Sequence, residues 1–249
     1  MEKLLNDLRK RFYQIKVLEH FGIDNDDYSS EAMDLILDWV QENFPEVNVS
    51  ESVFHGVSKL VIDLFPKEEF VIKIPFNGCY WGKWDKETEE YDAFHQWYEF
   101  EYAPTPETQM AYNWDYCNTE VEKYLDIVDK GLECFFAETK MLCSSKNFYP
   151  IYIQEKVLPI KEYSSSSART PSKDSLKRAK EIRNERTCYI SNVEWLANAL
   201  EFYGEELTHT FLDYLRDDDI VGQDLHSGNY GYRVSDGSPC ILDYSSWND

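Results

Sequence analysis

Three oxygen-bearing residues late in the sequence, Asp224, Asn229 and Asp243, have the types and spacing to hold a divalent ion and to move a proton. In the stretch VGQDLHSGNYGYRVSDGSPCILDYSS, Asn229 follows Asp224 by five residues. Asp243 comes after a hairpin-like stretch with a Ser-Asp-Gly turn, at the end of the apolar run Cys240-Ile241-Leu242. Asp224 and Asn229 at the two ends of one tight loop point at a common spot, and Asp243 arrives there from a neighbouring strand. Two hard oxygen donors suit magnesium lying between phosphates, and the remaining carboxylate is free to accept the proton of an attacking hydroxyl. The plain alternative stays open at this point: acidic chains produce this spacing by chance, and turns rich in Asn and Gly account for it.

Holding such groups in place takes a sheet, a helix and a helical platform, and the sequence offers all three. Leu5, Leu8, Phe12 and Ile15 repeat at helical spacing ahead of the stop signal Gly22. Ser30 is placed to cap a second helix with Ala32, Ile36, Trp39 and Val40 on one face and Pro45 at its end. The period then changes. ESVFHG, KLVIDLF and EFVIKIPF are short and rich in β-branched and aromatic residues, with turn chemistry at Gly56 and at Pro66-Lys67, and they read as three antiparallel strands. Residues 76–117 form an aromatic-dense insertion whose middle, about 86–100, is expected to be helical, and whose rings either pack on the adjacent sheet or receive a partner.

Thr119-Glu120-Val121-Glu122 has the form of a capping box and opens a helix with Val121, Tyr124, Leu125 and Val128 on one face and Gly131 at its close. FFAETKML and YPIYIQEKV read as strands, and Tyr163 to Ser167 as a Ser-rich link. Helices are expected over about 172–186, 193–203 and 205–217, the second with Leu196, Ala199, Leu200 and Tyr203 inward and the third with Leu207, Phe211 and Leu215. The order predicts an α+β plan with a ligand cleft between two lobes. Its expected parts are a helical extension at 1–48, a sheet-based first lobe at 49–157 carrying the insertion, and a short, mostly helical second lobe at 158–249.

Composition narrows the classes. With 25 basic against 47 acidic residues the net charge is −22, which disfavours nucleic acid and anionic membrane as partners. No stretch has the apolar length of a membrane span, and MEKLLNDLRKRF lacks the apolar run and cleavage site of a secretory signal. The six cysteines form no Cys-x-x-Cys pair, so reduced thiols and a cytoplasmic location are expected. One basic island, residues 168–186, holds seven Lys/Arg against three acidic residues and reads as a solvated helix face or as a dock for an acidic partner.

Taken in order, these motifs resemble the protein-kinase-like superfamily, nearest its aminoglycoside-phosphotransferase branch. Asp-Leu-His-Ser-Gly-Asn (224–229) resembles the catalytic loop, and Leu242-Asp243-Tyr244-Ser245 stands where that superfamily has its metal-binding Asp-Phe-Gly. Val71-Ile72-Lys73 resembles the strand that carries the phosphate-binding lysine, and Glu120 the helix glutamate that pairs with it. Gln154-Glu155-Lys156-Val157 resembles the hinge, where Glu155 and Val157 would bind adenine through backbone groups, and His55-Gly56-Val57-Ser58-Lys59 resembles a phosphate loop. The resemblance spans roughly residues 49–249. It implies ATP and Mg2+ as ligands, Asp224 as the catalytic base, Asn229 and Asp243 as metal ligands, Lys73 with Glu120 as the phosphate clamp, and Gly56, Val57 and Ser58 at the phosphates. The apolar flank of Lys73 (Val71, Ile72, Ile74, Phe76) argues against a merely solvent-facing lysine, and Glu122 is better spent as the capping-box residue.

Some features depart from the pattern. Gly222 stands where many kinases have histidine, and Tyr244-Ser245 replaces Phe-Gly, which argues against a flipping activation switch. His226 has no settled role. Six residues follow Asp243, so an activation segment and the later substrate helices are expected to be missing, and either the sequence is cut short or the acceptor, a protein among the candidates, is presented differently, by a partner or through the aromatic insertion. The implied activity is ATP- and magnesium-dependent phosphoryl transfer to a hydroxyl. The alternatives are a non-enzymatic pseudokinase-type module that binds nucleotide or protein, and nucleotidyl transfer.

Overall fold

Hydrophobic residues at helical spacing, followed by pairs of β-branched residues, build the first part of the chain in the computed structural model. The structure describes residues 2–15, 25–55, 59–75, 83–85, 90–92, 120–144, 150–160, 169–185, 190–217, 225 and 228–244. It is an α+β protein with antiparallel strand pairing, and it divides into two compact units, residues 1–118 with 140–154 and residues 119–139 with 155–249.

The first unit opens with helices α1 (Glu2–Phe12) and α2 (Asn25–Asn43) and a single turn, α3 (Val49–Ser52). Helix α2 begins at Asn25, ahead of the expected cap Ser30; Asn-Asp-Asp at 25–27 is itself a sequence suited to a helix start. Strands β1 (Val53–His55), β2 (Lys59–Ile62) and β3 (Phe70–Pro75) follow as the three expected antiparallel strands. With β6 (Thr139–Ser144) and β7 (Pro150–Glu155) they form a five-stranded sheet of order β1-β2-β3-β7-β6. Leu8, Phe12, Ile36, Val40 and Phe44 pack on Leu60, Ile62, Ile72, Ile74 and Ile151, so one face of the sheet is covered by the helices. Arg9 Nε donates to the Leu142 carbonyl at 3.0 Å and pins α1 to β6.

Within the aromatic insertion a two-stranded pair joins β4 (Lys83–Asp85) with β5 (Glu90–Asp92), so residues 90–92 are strand where a helix was expected over 86–100, and the other residues of that expected helix lie outside the described residues. Its register sets Trp84 opposite Tyr91, and aromatic residues favour strands and cross-strand pairing. The rest of the insertion and the Ser-rich link lie outside the described residues.

The second unit contains α4 (residues 120–129), a 3₁₀ turn at Glu133–Phe135, β8 (Val157–Pro159), α5 (Lys173–Glu185), α6 (Val193–Tyr203), α7 (Glu205–Asp217), β9 (Tyr230–Arg233) and β10 (Pro239–Ile241). A sheet of order β10-β9-β8 packs with these helices around Trp195, Leu196, Ala199, Phe211 and Leu215, and Phe135 stacks on Phe211 with ring centroids 4.1 Å apart. The Asn192 side chain accepts from the Trp195 amide and caps α6. The inward face of α4 differs from the expected one. Leu125 and Val128 are exposed, whereas Glu120 and Ile127 are buried. Among the described residues Cys134, Cys143 and Cys240 are free thiols, and no helix is long and apolar enough to cross a membrane.

Candidate functional site

The β9–β10 hairpin positions two of the three oxygen-bearing residues. Its strands pair antiparallel, Tyr230 opposite Ile241 and Tyr232 opposite Pro239. The turn closes with Asp236 Oδ1 accepting from the Ser238 amide at 2.9 Å and with Gly237 at φ 74°, a backbone state that favours glycine. One residue before β9, the Asn229 carbonyl accepts from the Leu242 amide at 2.9 Å and from the Asp243 amide at 3.4 Å. Asn229 and Asp243 are thereby brought side by side on the backbone, Asn229 buried and Asp243 half-buried. Asp224 and His226 lie outside the described residues.

Three contacts fix this hairpin from behind. Trp195 Nε1 donates to the Gly231 carbonyl at 2.7 Å, Asn198 Nδ2 donates to the Tyr232 hydroxyl at 3.0 Å, and the Ser191 and Tyr230 hydroxyls meet at 2.9 Å. Strand β8 runs so close to β9 that any side chain at Gly231 would collide with the Leu158 carbonyl. Only a glycine fits that strand crossing.

Glu120 is the first described residue of α4 and is 1% exposed, which is unusual for a carboxylate without a partner. Its Oε1 accepts from the Thr139 hydroxyl at 2.9 Å. The Tyr244 hydroxyl donates to the Ala137 carbonyl at 2.6 Å and lies 3.2 Å from Thr139 Oγ1. The residue next to Asp243 is thus joined through Thr139 to Glu120. Burial, and then the charge of Glu120, push the Tyr244 phenol well above its ordinary value, so it stays protonated and remains a donor. The sequence marks Tyr244 only as a departure from the resembled Phe-Gly and gives Thr139 no role. The only available signal was a tyrosine where the resembled motif has phenylalanine.

Lys73 lies on β3 in the first unit, opposite Val61 of β2, and is 3% exposed. Val71, Ile72 and Ile74 beside it are buried as well. Gly56, Val57 and Ser58 lie outside the described residues, between the antiparallel strands β1 and β2, where His55 stands opposite Leu60.

The chain leaves the first unit and enters the second between Gln154 and Glu155. The Glu155 amide donates to the Glu138 carbonyl at 2.9 Å, and its carboxylate accepts from Arg233 Nε at 2.8 Å. Val157 starts β8 opposite Arg233 of β9. The Arg233 guanidinium also donates to the carbonyls of Glu133, Cys134 and Phe136 and to the Ser238 hydroxyl. The Glu155 side chain is therefore a structural anchor.

No cluster of three or more His, Cys, Asp or Glu side chains able to hold a metal occurs among the described residues. An amide and a carboxylate of the kinds carried by Asn229 and Asp243 would suit magnesium, which takes one or two protein oxygens and completes its shell with phosphate and water. They would not suit a metal that needs a closed protein cage. No protein-family model matches the chain, and no curated protein or solved structure matches it either.

Proposed function

We propose that this protein is an ATP- and Mg2+-dependent phosphotransferase of protein-kinase-like fold, transferring the terminal phosphate to a hydroxyl of an acceptor, with a protein as the expected acceptor or presenting partner. The observation that carries the reading is the Asn229 carbonyl bonded to the amides of both Leu242 and Asp243, which sets an amide and a carboxylate from separate motifs at one strand end. Bound magnesium would neutralise phosphate oxygens there. In this reading Lys73, buried on β3, serves the phosphates, Glu155 and Val157 offer backbone groups to the adenine, and Asp224 accepts the hydroxyl proton. Glu120 is the buried carboxylate of this reading and holds Thr139, which in turn bonds the Tyr244 hydroxyl.

The test is incubation with ATP labelled separately at the terminal and α-phosphates, with and without magnesium, followed by mass analysis of protein and small-molecule acceptors in a cell extract. Transfer of the terminal label only, and only with magnesium, is expected. Transfer of the α-label identifies nucleotidyl transfer. A melting curve raised by ATP and magnesium with no transfer of either label identifies a binding module, and no thermal shift at all at millimolar nucleotide removes ATP from the reading. A ligand at about a hundred times its Kd adds about 2.7 kcal/mol of stability, so binding is readily seen.

A further inference from the structure

Two helices, one in each unit, carry outward stripes of opposite charge at closely matched pitch. Helix α2 contains no lysine or arginine. Its Ile36 and Val40 pack into the core of the first unit, while Asp34, Asp38 and Glu42, spaced four residues apart on the other side, are exposed. Helix α5 buries Ala179 and Ile182 in the second unit and exposes Lys173, Lys177 and Lys180 at i, i+4 and i+7, with an exposed Arg183 three residues further on. At about 1.5 Å of rise per residue the acidic stripe is about 12 Å long and the basic stripe about 10 Å. On another flank of α5, Arg178 pairs with Glu205 of α7 at 2.6 Å and with Glu181 at 3.2 Å. Lys177 reaches the same Glu181 only at 3.9 Å, with its own side chain 78% exposed. Among the described residues, Lys173, Lys180 and Arg183 form no ion pair, nor do Asp34, Asp38 and Glu42.

Like charges three and four residues apart on a helix repel each other, so each stripe disfavours its own helix until a stripe of the opposite sign faces it. The net charge of −22 keeps copies of the chain apart at long range. Ionic screening confines that repulsion to about 8 Å at physiological salt, and facing stripes act inside that distance. Complementary rows of charge also fix register and reject misaligned partners. We propose that α5 of one copy of this chain docks on α2 of a second copy, with Lys173, Lys177 and Lys180 set against Asp34, Asp38 and Glu42. The two patches differ, so the contact is heterologous. It is built from exposed ion pairs and is therefore weak and salt-sensitive. It is independent of the phosphotransferase reading.

The experiment is sedimentation equilibrium of the full chain from micromolar to millimolar concentration, at about 0.15 M and about 1 M salt. It compares the wild type, a basic-stripe reversal (Lys173→Glu, Lys177→Glu and Lys180→Glu together), an acidic-stripe reversal (Asp34→Lys, Asp38→Lys and Glu42→Lys together) and an equimolar mixture of the two reversals. The mean mass of the wild type is expected to rise with concentration at the lower salt and to stay that of one chain at the higher. Each reversal alone is expected to weaken association at least about 10-fold, and the mixture to recover it, because each reversed stripe then finds a complement on the other variant. A wild type that remains a single chain at millimolar concentration in the lower salt overturns the proposal. So does an acidic-stripe reversal that associates more tightly than the wild type, since net charge alone would then be at work. A wild type that stays single yet binds a hexaglutamate peptide through the three lysines assigns the stripe to a different acidic partner and overturns the second copy. Should a reversal not fold, Lys173→Gln, Lys177→Gln and Lys180→Gln together replace it: a loss of association is again expected, and association equal to that of the wild type overturns the proposal.

Discussion

Thr139 stands between two groups with opposite needs, a buried carboxylate that must accept and a buried phenol that must donate. Removing the phenol oxygen in Tyr244→Phe takes from the Ala137 carbonyl its short hydrogen bond and leaves it only the Thr139 hydroxyl at 3.5 Å, a loss of about 1–3 kcal/mol that is expected to lower the Tm by several degrees. An unchanged melting curve would show that this network holds nothing. The proposed chemistry divides between its two aspartates. Asp224→Ala is expected to keep nucleotide affinity while losing about 10²- to 10⁴-fold in turnover, because a base acts in the transition state. Asp243→Ala is expected to weaken magnesium-dependent binding as well. Titration calorimetry beside a turnover assay separates the two, and an Asp224→Ala protein as active as wild type would sink the assignment of the base.

Strand β9 depends on Gly231, since a Cβ at this position would run into the Leu158 backbone of β8. Gly231→Ala is expected to force β8 and β9 apart at a loss of about 1–3 kcal/mol, as overpacking does, and to shift the Trp195 indole that donates to the Gly231 carbonyl. Tryptophan fluorescence during urea unfolding reads both effects; a midpoint equal to wild type would mean that the strands yield without strain. Elements with local punctuation were legible in the sequence. Helices α6 and α7 run over 193–203 and 205–217 as expected, because the Asn192 cap and Gly204 mark their ends. The face of α4 was not legible. Leu125 and Val128 make it look amphipathic one way, yet Leu125 is 61% exposed, and Glu120 turns inward because its partner, Thr139, lies in a later strand. The approach of Asn229 to Asp243 was readable because a hairpin joins them, whereas Thr139 and Tyr244 carry common hydroxyls whose meeting is set by tertiary packing. The strand at 90–92 was not legible because the polar residues that separate it from β4 have a helix-like composition.

Across the whole molecule, the buried phenols and thiols set a limit on the alkaline side. Burial raises Tyr203, Tyr244 and Cys240 above their ordinary values, and it raises Tyr124 to about 12. In the unfolded chain these groups ionise near pH 9 for the thiol and near pH 10 for the phenols, while the folded chain keeps the protons. The unfolded state then binds fewer protons, so stability is complete below about pH 9 and falls as pH rises, by about 1.4 kcal/mol per pH unit for each fully shifted group. Denaturant midpoints measured from pH 7 to pH 11 are expected to be flat and then to decline; a flat profile to pH 11 would contradict the burial of these groups. Arg233 has a further consequence, which concerns time. Its guanidinium serves the carbonyls of Glu133, Cys134 and Phe136, which are 97 to 100 residues earlier in the chain. At about 5–20 residues per second, a ribosome leaves those acceptors waiting roughly 5–20 s for their donor. Nascent chains arrested before residue 233 has left the exit tunnel should be cut readily by protease around residues 133–136, and chains that expose Arg233 should resist. Equal cutting of both would show that the second unit closes without its late-arriving clasp.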